Sequence, residues 1–213
     1  MTVLIFVRHG ESEANRSHFF AGHTDVALEK NGFEQARLTA EYIAANYRVD
    51  KVYASNLQRA YATGKCIADL TGASITADEG LREIYGGEWE GKGFDVLQTE
   101  YKEEYDIWLA DIGSAAPRGG ESVKELGDRV FSAVKRIAEE NDGKTVVIAS
   151  HGAAIKAAQA MMKFGDVKRM NEVGWTTNAS VTVFEYDGES FKCIVEGYDK
   201  HLGDSRTVFP ANV

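Results

Sequence analysis

Proline is nearly absent, with two residues in 213. No Pro-, Ser- or Gln-rich tract and no repeat of fixed period divides the chain. With 44% hydrophobic residues it can bury one sizeable core, so residues 1–213 are expected to form a single domain. Cysteine is equally scarce. Cys66 and Cys193 lie far apart, and neither belongs to a C-x-x-C pair, which excludes a disulfide framework and fits a reducing cytoplasm. No apolar run approaches the ~18 residues that span a bilayer. The chain opens on strand-like residues without a basic stretch ahead of an apolar one, so neither a signal peptide nor a membrane partner is expected. A basic excess is missing too: the net charge is −9. That argues against a general nucleic-acid binder, and an anionic ligand must be held by a local cationic cluster against the overall field. Monomer and homodimer are both open.

What is present is a regular alternation of short apolar runs and amphipathic stretches. Residues 3–7 read as a strand, and residues 31–47 as a helix with Phe33, Ala36, Ala40, Ile43, Ala44 and Tyr47 on one face. Asn31 with Glu34 resembles a capping box there, as do Ser55 with Gln58 before a helix over 56–70 and Ser122 with Glu125 before a longer one. That longer helix carries Val123, Leu126, Val130, Val134 and Ile137 on one face. Short strands are expected at 51–54, 74–77 and 145–149, a small-residue helix at 153–163, and a hairpin from 180–186 and 191–196 around Asp187-Gly188. Strands that alternate with helices imply a three-layer α/β/α sandwich with a mostly parallel central sheet. Residues 84–121, less regular and rich in glycine, read as a lid-like insertion.

Two of the apolar strands each end in His-Gly: VLIFV-Arg8-His9-Gly10 and TVVIA-Ser150-His151-Gly152. In open α/β sheets, ligands bind outside the carboxyl ends of the strands. A lone histidine there is more often packing or surface, but two at equivalent ends, one beside an arginine, point to a site. Arg59, in the first turn of its helix, can reach the same crevice and face an anion together with the helix amides. Two arginines and two histidines around one point suit a phosphate dianion. A neutral imidazole can attack phosphorus, and the leaving alcohol then needs a proton. Glu83, in LREIYGGEWEG, is the candidate acid, in a setting expected to be apolar and so to keep the carboxyl protonated. The competing reading is a surface ion pair with Arg82.

These stretches, in order and spacing, are similar to the histidine phosphatase superfamily, the phosphoglycerate mutase-like family. The resemblance runs through RHGES after the first strand, GHTDVALEKNG (22–32), SNLQRAYAT (55–63), LREIYGGEWEG (81–91), GGES (119–122) and SHG (150–152). It implies a phosphoglycerate mutase-like fold. His9 would be the nucleophile that becomes phosphohistidine, and Arg8, Arg59 and His151 the phosphate clamp. Asn15, Gly22 and Gly152 would contact phosphate or substrate, and Glu83 would serve as general acid and then base. No metal and no cofactor are implied. The expected partner is a small phosphate ester such as a sugar phosphate or phosphoglycerate, with inorganic phosphate as product. Cofactor-dependent mutases of the family usually carry Tyr where this chain has Gly86, Asn at Ala153 and Ser at Ala21, and a longer insertion with an arginine pair where only Arg118 stands. The broad-specificity and α-ribazole phosphatase-like branch fits better, so hydrolysis is favoured. A bisphosphoglycerate-primed mutase is the alternative, and a non-catalytic phospho-ligand module a third reading.

Other signals carry less. DGKT (142–145) would place the first glycine of a P-loop at Ala138 and leads into a strand rather than out of one. His9, His18, His23 and His151 include no H-x-x-x-H pair for zinc. Cys66 reads as packing, and NRS (15–17) and NAS (178–180) are glycosylation sequons, irrelevant without secretion. Phe19, Phe20, Trp89, Tyr101, Tyr105 and Trp108 read as a satellite core or a substrate pocket.

Overall fold

Leu4, Ile5, Phe6 and Val7 are all buried, because a strand in mid-sheet has no face turned to water. In the computed structural model, which describes residues 1–207, they belong to β1 (Thr2–Arg8). The chain continues through α1 (Glu13–Ser17), α2 (Lys30–Asn46), β2 (Lys51–Ala54), α3 (Gln58–Thr71) and β3 (Ser74–Ala77). It then runs through α4 (Phe94–Glu100), α5 (Lys102–Ala110), α6 (Val123–Glu140), β4 (Thr145–Ser150), α7 (Gly152–Phe164), β5 (Val181–Tyr186) and β6 (Phe191–Tyr198).

The strands form one six-stranded sheet in the order β3-β2-β4-β1-β5-β6. β3, β2, β4 and β1 are mutually parallel; β5 runs antiparallel to β1 and pairs with β6 as the expected hairpin. Alternation along β1 divides the core. Leu4 and Phe6 join the cluster under α6 and α7, while Ile5 and Val7 join the one formed with Ala40, Ile43, Ile67 and Ala68 of α2 and α3. Helices thus cover both faces of a mixed, mostly parallel sheet, giving the α/β/α layering that the pattern implied.

Two helix starts differ from the sequence reading. α2 begins at Lys30 behind Glu29, and Asn31, inside the helix, sends Nδ2 to Glu11 Oε2 at 2.8 Å instead of capping. Its buried face is Gly32, Gln35, Ala36, Thr39, Ala40 and Ile43, which leaves Phe33 and Ala44 exposed. α3 starts behind Leu57, not at Ser55. The Ser122–Glu125 box does form, with Ser122 Oγ accepting from Glu125 N at 3.2 Å.

Residues 84–121 hold α4, α5 and short 3-10 turns. Trp89, Leu97, Tyr105 and Ile112 from this stretch enter the same apolar cluster as α6 and α7. Among the described residues, no helix is long and apolar enough to cross a membrane.

Candidate active site

Strand register assembles the site. Arg8 of β1 pairs with Ser150 of β4, and Ala54 of β2 pairs with Ala149. The residues that leave these strands (His9, His151 and Ser55) therefore emerge side by side at one edge of the sheet. The imidazoles of His9 and His151 stand 5.2 Å apart between centroids, at 61°. His9 Nδ1 lies 2.7 Å from Gly10 O. A carbonyl only accepts, so Nδ1 carries the proton and the lone pair falls on Nε2. Burial, then Arg59 and Arg8, hold the His9 pKa well below its usual 6.5, so the ring is neutral and nucleophilic at neutral pH.

His151 occupies the residue position just before α7, without a side-chain bond to the helix amides, and is fully buried. Its Nε2 lies 2.8 Å from Ser55 Oγ, while Nδ1 is buried with no hydrogen-bond partner. Burial first, then Arg59, His9 and Arg8, push its pKa well below 6.5. Ser55 Oγ accepts from Leu57 N at 3.3 Å. If its hydroxyl proton goes to His151 Nε2, Nδ1 is left as a donor for an anion.

Arg8 Nη1 donates to Thr176 O at 2.6 Å. Burial, opposed by Glu83, pushes its pKa down to about 10, so it stays cationic. Arg59 is buried to 1% exposure. Its Nη1 donates to Thr24 O, and its Nη2 to Ala21 O and Gly22 O, at 2.8–2.9 Å. These bonds tie the 21–24 loop to α3, and Arg59 lines the same pocket as Arg8, His9 and Glu83. Gly22 is not part of that lining: its N–H donates to Glu90 Oε2 at 3.2 Å.

Glu83 reaches the pocket through a polar setting, unlike the apolar one expected. Its carboxylate accepts from Ala153 N at 3.0 Å, Ala154 N at 2.9 Å and Ile84 N at 3.0 Å. The first two are free amides of the α7 N-terminus, which suits a carboxylate. Arg82 pairs with Glu79 at 3.0 Å instead. Arg129 of α6 donates to Glu83 O at 3.1 Å and pairs with Glu121, and Ser150 Oγ donates to Leu81 O at 2.8 Å. The approach to Glu83 is thus anchored on both sides.

Asn15 lies beside these groups with its amide orientation fixed. Oδ1 accepts from Ser12 N at 3.1 Å, Ser12 Oγ at 3.0 Å and Asn178 Nδ2 at 3.1 Å, so the NH2 group turns to the pocket. Gly152 also lines it; a Cβ there would sit 3.3 Å from Arg8 Cζ. The cavity is about 240 Å³. Phe19, Phe20, Tyr105 and Trp108 also line it, whereas Trp89 meets Phe20 edge-on at 5.5 Å from outside the lining, and Tyr101 bonds Glu88. Among the described residues, no group of three or more His, Cys, Asp and Glu is placed to hold a metal ion.

Sequence reasoning missed Asn178, Ser55 as a partner of His151, Arg129 and Glu90. Glu90 accepts from the amides of Gly22, His23, Thr24 and Gly86. Partial burial raises its pKa, but those bonds and the one from Thr24 Oγ1 outweigh burial and leave it below the usual carboxylate value. Only the EWEG stretch that follows Glu83 signalled it.

The sequence pattern of the histidine phosphatase superfamily (branch 1) matches residues 4–197. The chain is 30% identical over 205 residues to phosphoglycerate mutase-like protein 4 of Arabidopsis thaliana, covering 95% of this chain and 87% of that one. It is 28% identical over 204 residues to phosphoserine phosphatase 1 of Hydrogenobacter thermophilus, covering 96% of each. The structure of Bacillus stearothermophilus YhfR superposes with a TM-score of 0.89 at 30% identity, over 95% of this chain and all of that one.

Proposed function

The chain belongs to branch 1 of the histidine phosphatase superfamily, and we propose that it is a metal-independent phosphomonoesterase acting on small phosphate esters through a phosphohistidine on His9. The observation that carries this reading is the His9 tautomer: Nδ1–H is committed to Gly10 O, which leaves Nε2 as the nucleophile. In the first step Nε2 bonds phosphorus while the ester P–O bond breaks. Glu83, in its protonated form, gives a proton to the departing alcohol oxygen, and the amides of Ala153 and Ala154 receive the carboxylate that results. The positive charge that develops on the ring is met by Gly10 O. Arg8, Arg59, His151 and the Asn15 amide surround the three phosphoryl oxygens and stabilise the charge they gather. In the second step water attacks phosphorus, its proton returns to Glu83, and the N–P bond breaks to release inorganic phosphate and neutral His9.

A primed phosphoglycerate mutase would share the first step and pass the phosphoryl group to a second phosphoglycerate. Arg118, the one arginine expected for a substrate carboxylate, pairs with Glu104 at 2.7 Å outside the pocket lining, which favours hydrolysis. The test is p-nitrophenyl phosphate in EDTA, followed by 3-phosphoglycerate with and without bisphosphoglycerate. Phosphate release in EDTA is expected, together with an acid-quench phosphoprotein that His9→Ala abolishes. Retained turnover in His9→Ala would sink the reading, and 2-phosphoglycerate as the dominant product would make the protein a mutase.

A further inference from the structure

The pocket has two chemically different ends. One holds Arg8, His9, Arg59 and Glu83, with Trp175 close to Arg8 across Gly152; the other is the aromatic and aliphatic wall of Phe20, Phe94, Trp108 and Leu109. Beyond Arg8 and Arg59, no lysine or arginine lines it among the described residues, and besides His9 the one further basic side chain in the lining is the imidazole of His18. Both of those arginines lie at the phosphate end, and the net charge of −9 opposes any further anion.

The apolar end is built rather than incidental. Phe20 meets Trp108 edge-on at 5.7 Å, and both ring systems rest on buried Trp89. At the mouth, Leu109 is 53% exposed and Trp175 51% exposed. Trp175 is nonetheless held in place: Lys156, buried in α7, donates to Val173 O and places its ammonium 5.0 Å from the Trp175 ring centroid. Apolar side chains fixed at the rim of a reactive pocket and left to water are positioned to be covered by ligand.

Building on the phosphatase reading, we propose that the alcohol side of the substrate is an uncharged apolar group, best a planar ring, and that esters bearing a carboxylate are poor substrates. A carboxylate at this end would be stripped of water with no lysine or arginine to receive it, while a ring gains from burial against Phe20 and Trp108.

The test uses four primary-alkyl monoesters, so that leaving-group chemistry is comparable: ethyl phosphate, 2-phenylethyl phosphate, 3-phosphoglycerate and O-phosphoserine. kcat/KM should rise about tenfold or more from ethyl to 2-phenylethyl phosphate, the effect of burying one ring. Both carboxylate esters should fall below ethyl phosphate. Leu109→Ser and Trp175→Ala, both at the exposed rim, should lower the phenylethyl-to-ethyl ratio several-fold, and Leu109→Arg should raise 3-phosphoglycerate relative to ethyl phosphate. A carboxylate ester at parity with 2-phenylethyl phosphate, or a ratio unmoved by both rim substitutions, would overturn the proposal while leaving the phosphatase reading intact. Phosphate release from none of the four, nor from p-nitrophenyl phosphate, would overturn both.

Discussion

Asn178 Nδ2 lies 3.1 Å from Asn15 Oδ1 and 2.9 Å from the backbone oxygen of His9. One buried amide, arriving from the loop before β5, thus sets the orientation of the Asn15 amide and braces the nucleophile's own carbonyl. Both acceptors require an NH2 at that position.

That requirement makes two substitutions informative. Asn178→Ala removes the donor but leaves Ser12 to hold Asn15, so KM should rise about three- to tenfold with a smaller fall in kcat. Asn178→Asp places an oxygen against two acceptors and adds charge beside the phosphate site, so its KM should rise further. Steady-state kinetics on p-nitrophenyl phosphate, with phosphate as competitive inhibitor, reads both. A KM for Asn178→Asp equal to that of the native chain would remove Asn178 from any positioning role.

Glu83 sits on the amides of Ala153 and Ala154, and Glu83→Gln keeps an oxygen acceptor for one of them while losing the transferable proton. Esters with poor leaving groups should slow by about 10²–10⁴-fold, the usual range for a lost general acid, and p-nitrophenyl phosphate far less. Comparing ethyl and p-nitrophenyl phosphate turnover gives the answer. Equal losses on both would mean that Glu83 is not the acid.

The two His-Gly strand ends were legible because an apolar run that stops at a polar residue and a histidine is a local signal, and parallel register then places both ends together. The surroundings were not. Asn178 meets Asn15 across 163 positions of sequence, and nothing near NAS marks it as more than a sequon. Ser55 looks like a cap because serine is a favoured N-cap residue and Gln58 stands three residues on, at capping-box spacing. In the structure its Oγ lies between Leu57 N and His151 Nε2, and α3 starts behind Leu57. The apolar residues near Glu83 misled in the same way: Leu81, Ile84 and Trp89 are all buried, yet the carboxylate turns away from them to the start of α7.

Ser55 is therefore expected to act through His151. Ser55→Ala leaves Nε2 without its partner, and the ring then loses its preference for the tautomer with the proton on Nδ1. kcat should fall about tenfold, the scale of one hydrogen bond to a charged group, with KM for ester changed less. Nitrogen chemical shifts of the His151 ring separate this from a packing defect: Nδ1 protonated in the native chain and a mixture of tautomers in the variant. An unchanged ring spectrum alongside reduced kcat would contradict the role.

Acid should weaken the fold before the carboxylates titrate. Burial lowers the pKa values of His9 and His151 well below 6.5, and those of His23 and His201 below it. Between the folded and unfolded pKa values, the unfolded chain binds more protons. Unfolding free energy therefore rises with pH through this window and is lost as pH drops below about 6.5, by about 1.4 kcal/mol per pKa unit of difference at the buried His9 and His151 rings and by less at His23 and His201, which water screens. Glu90, with a depressed pKa, contributes stability that is lost only below its ordinary 4.5, so the interval from pH 6.5 to 5 reports mainly on the histidines. Urea unfolding across that interval should show a steep loss of stability that His9→Gln makes shallower. Inorganic phosphate should counter the loss, because a dianion among Arg8, Arg59 and the two rings favours their protonated forms. A slope identical in native and His9→Gln chains would mean that His9 is not held neutral in the folded protein.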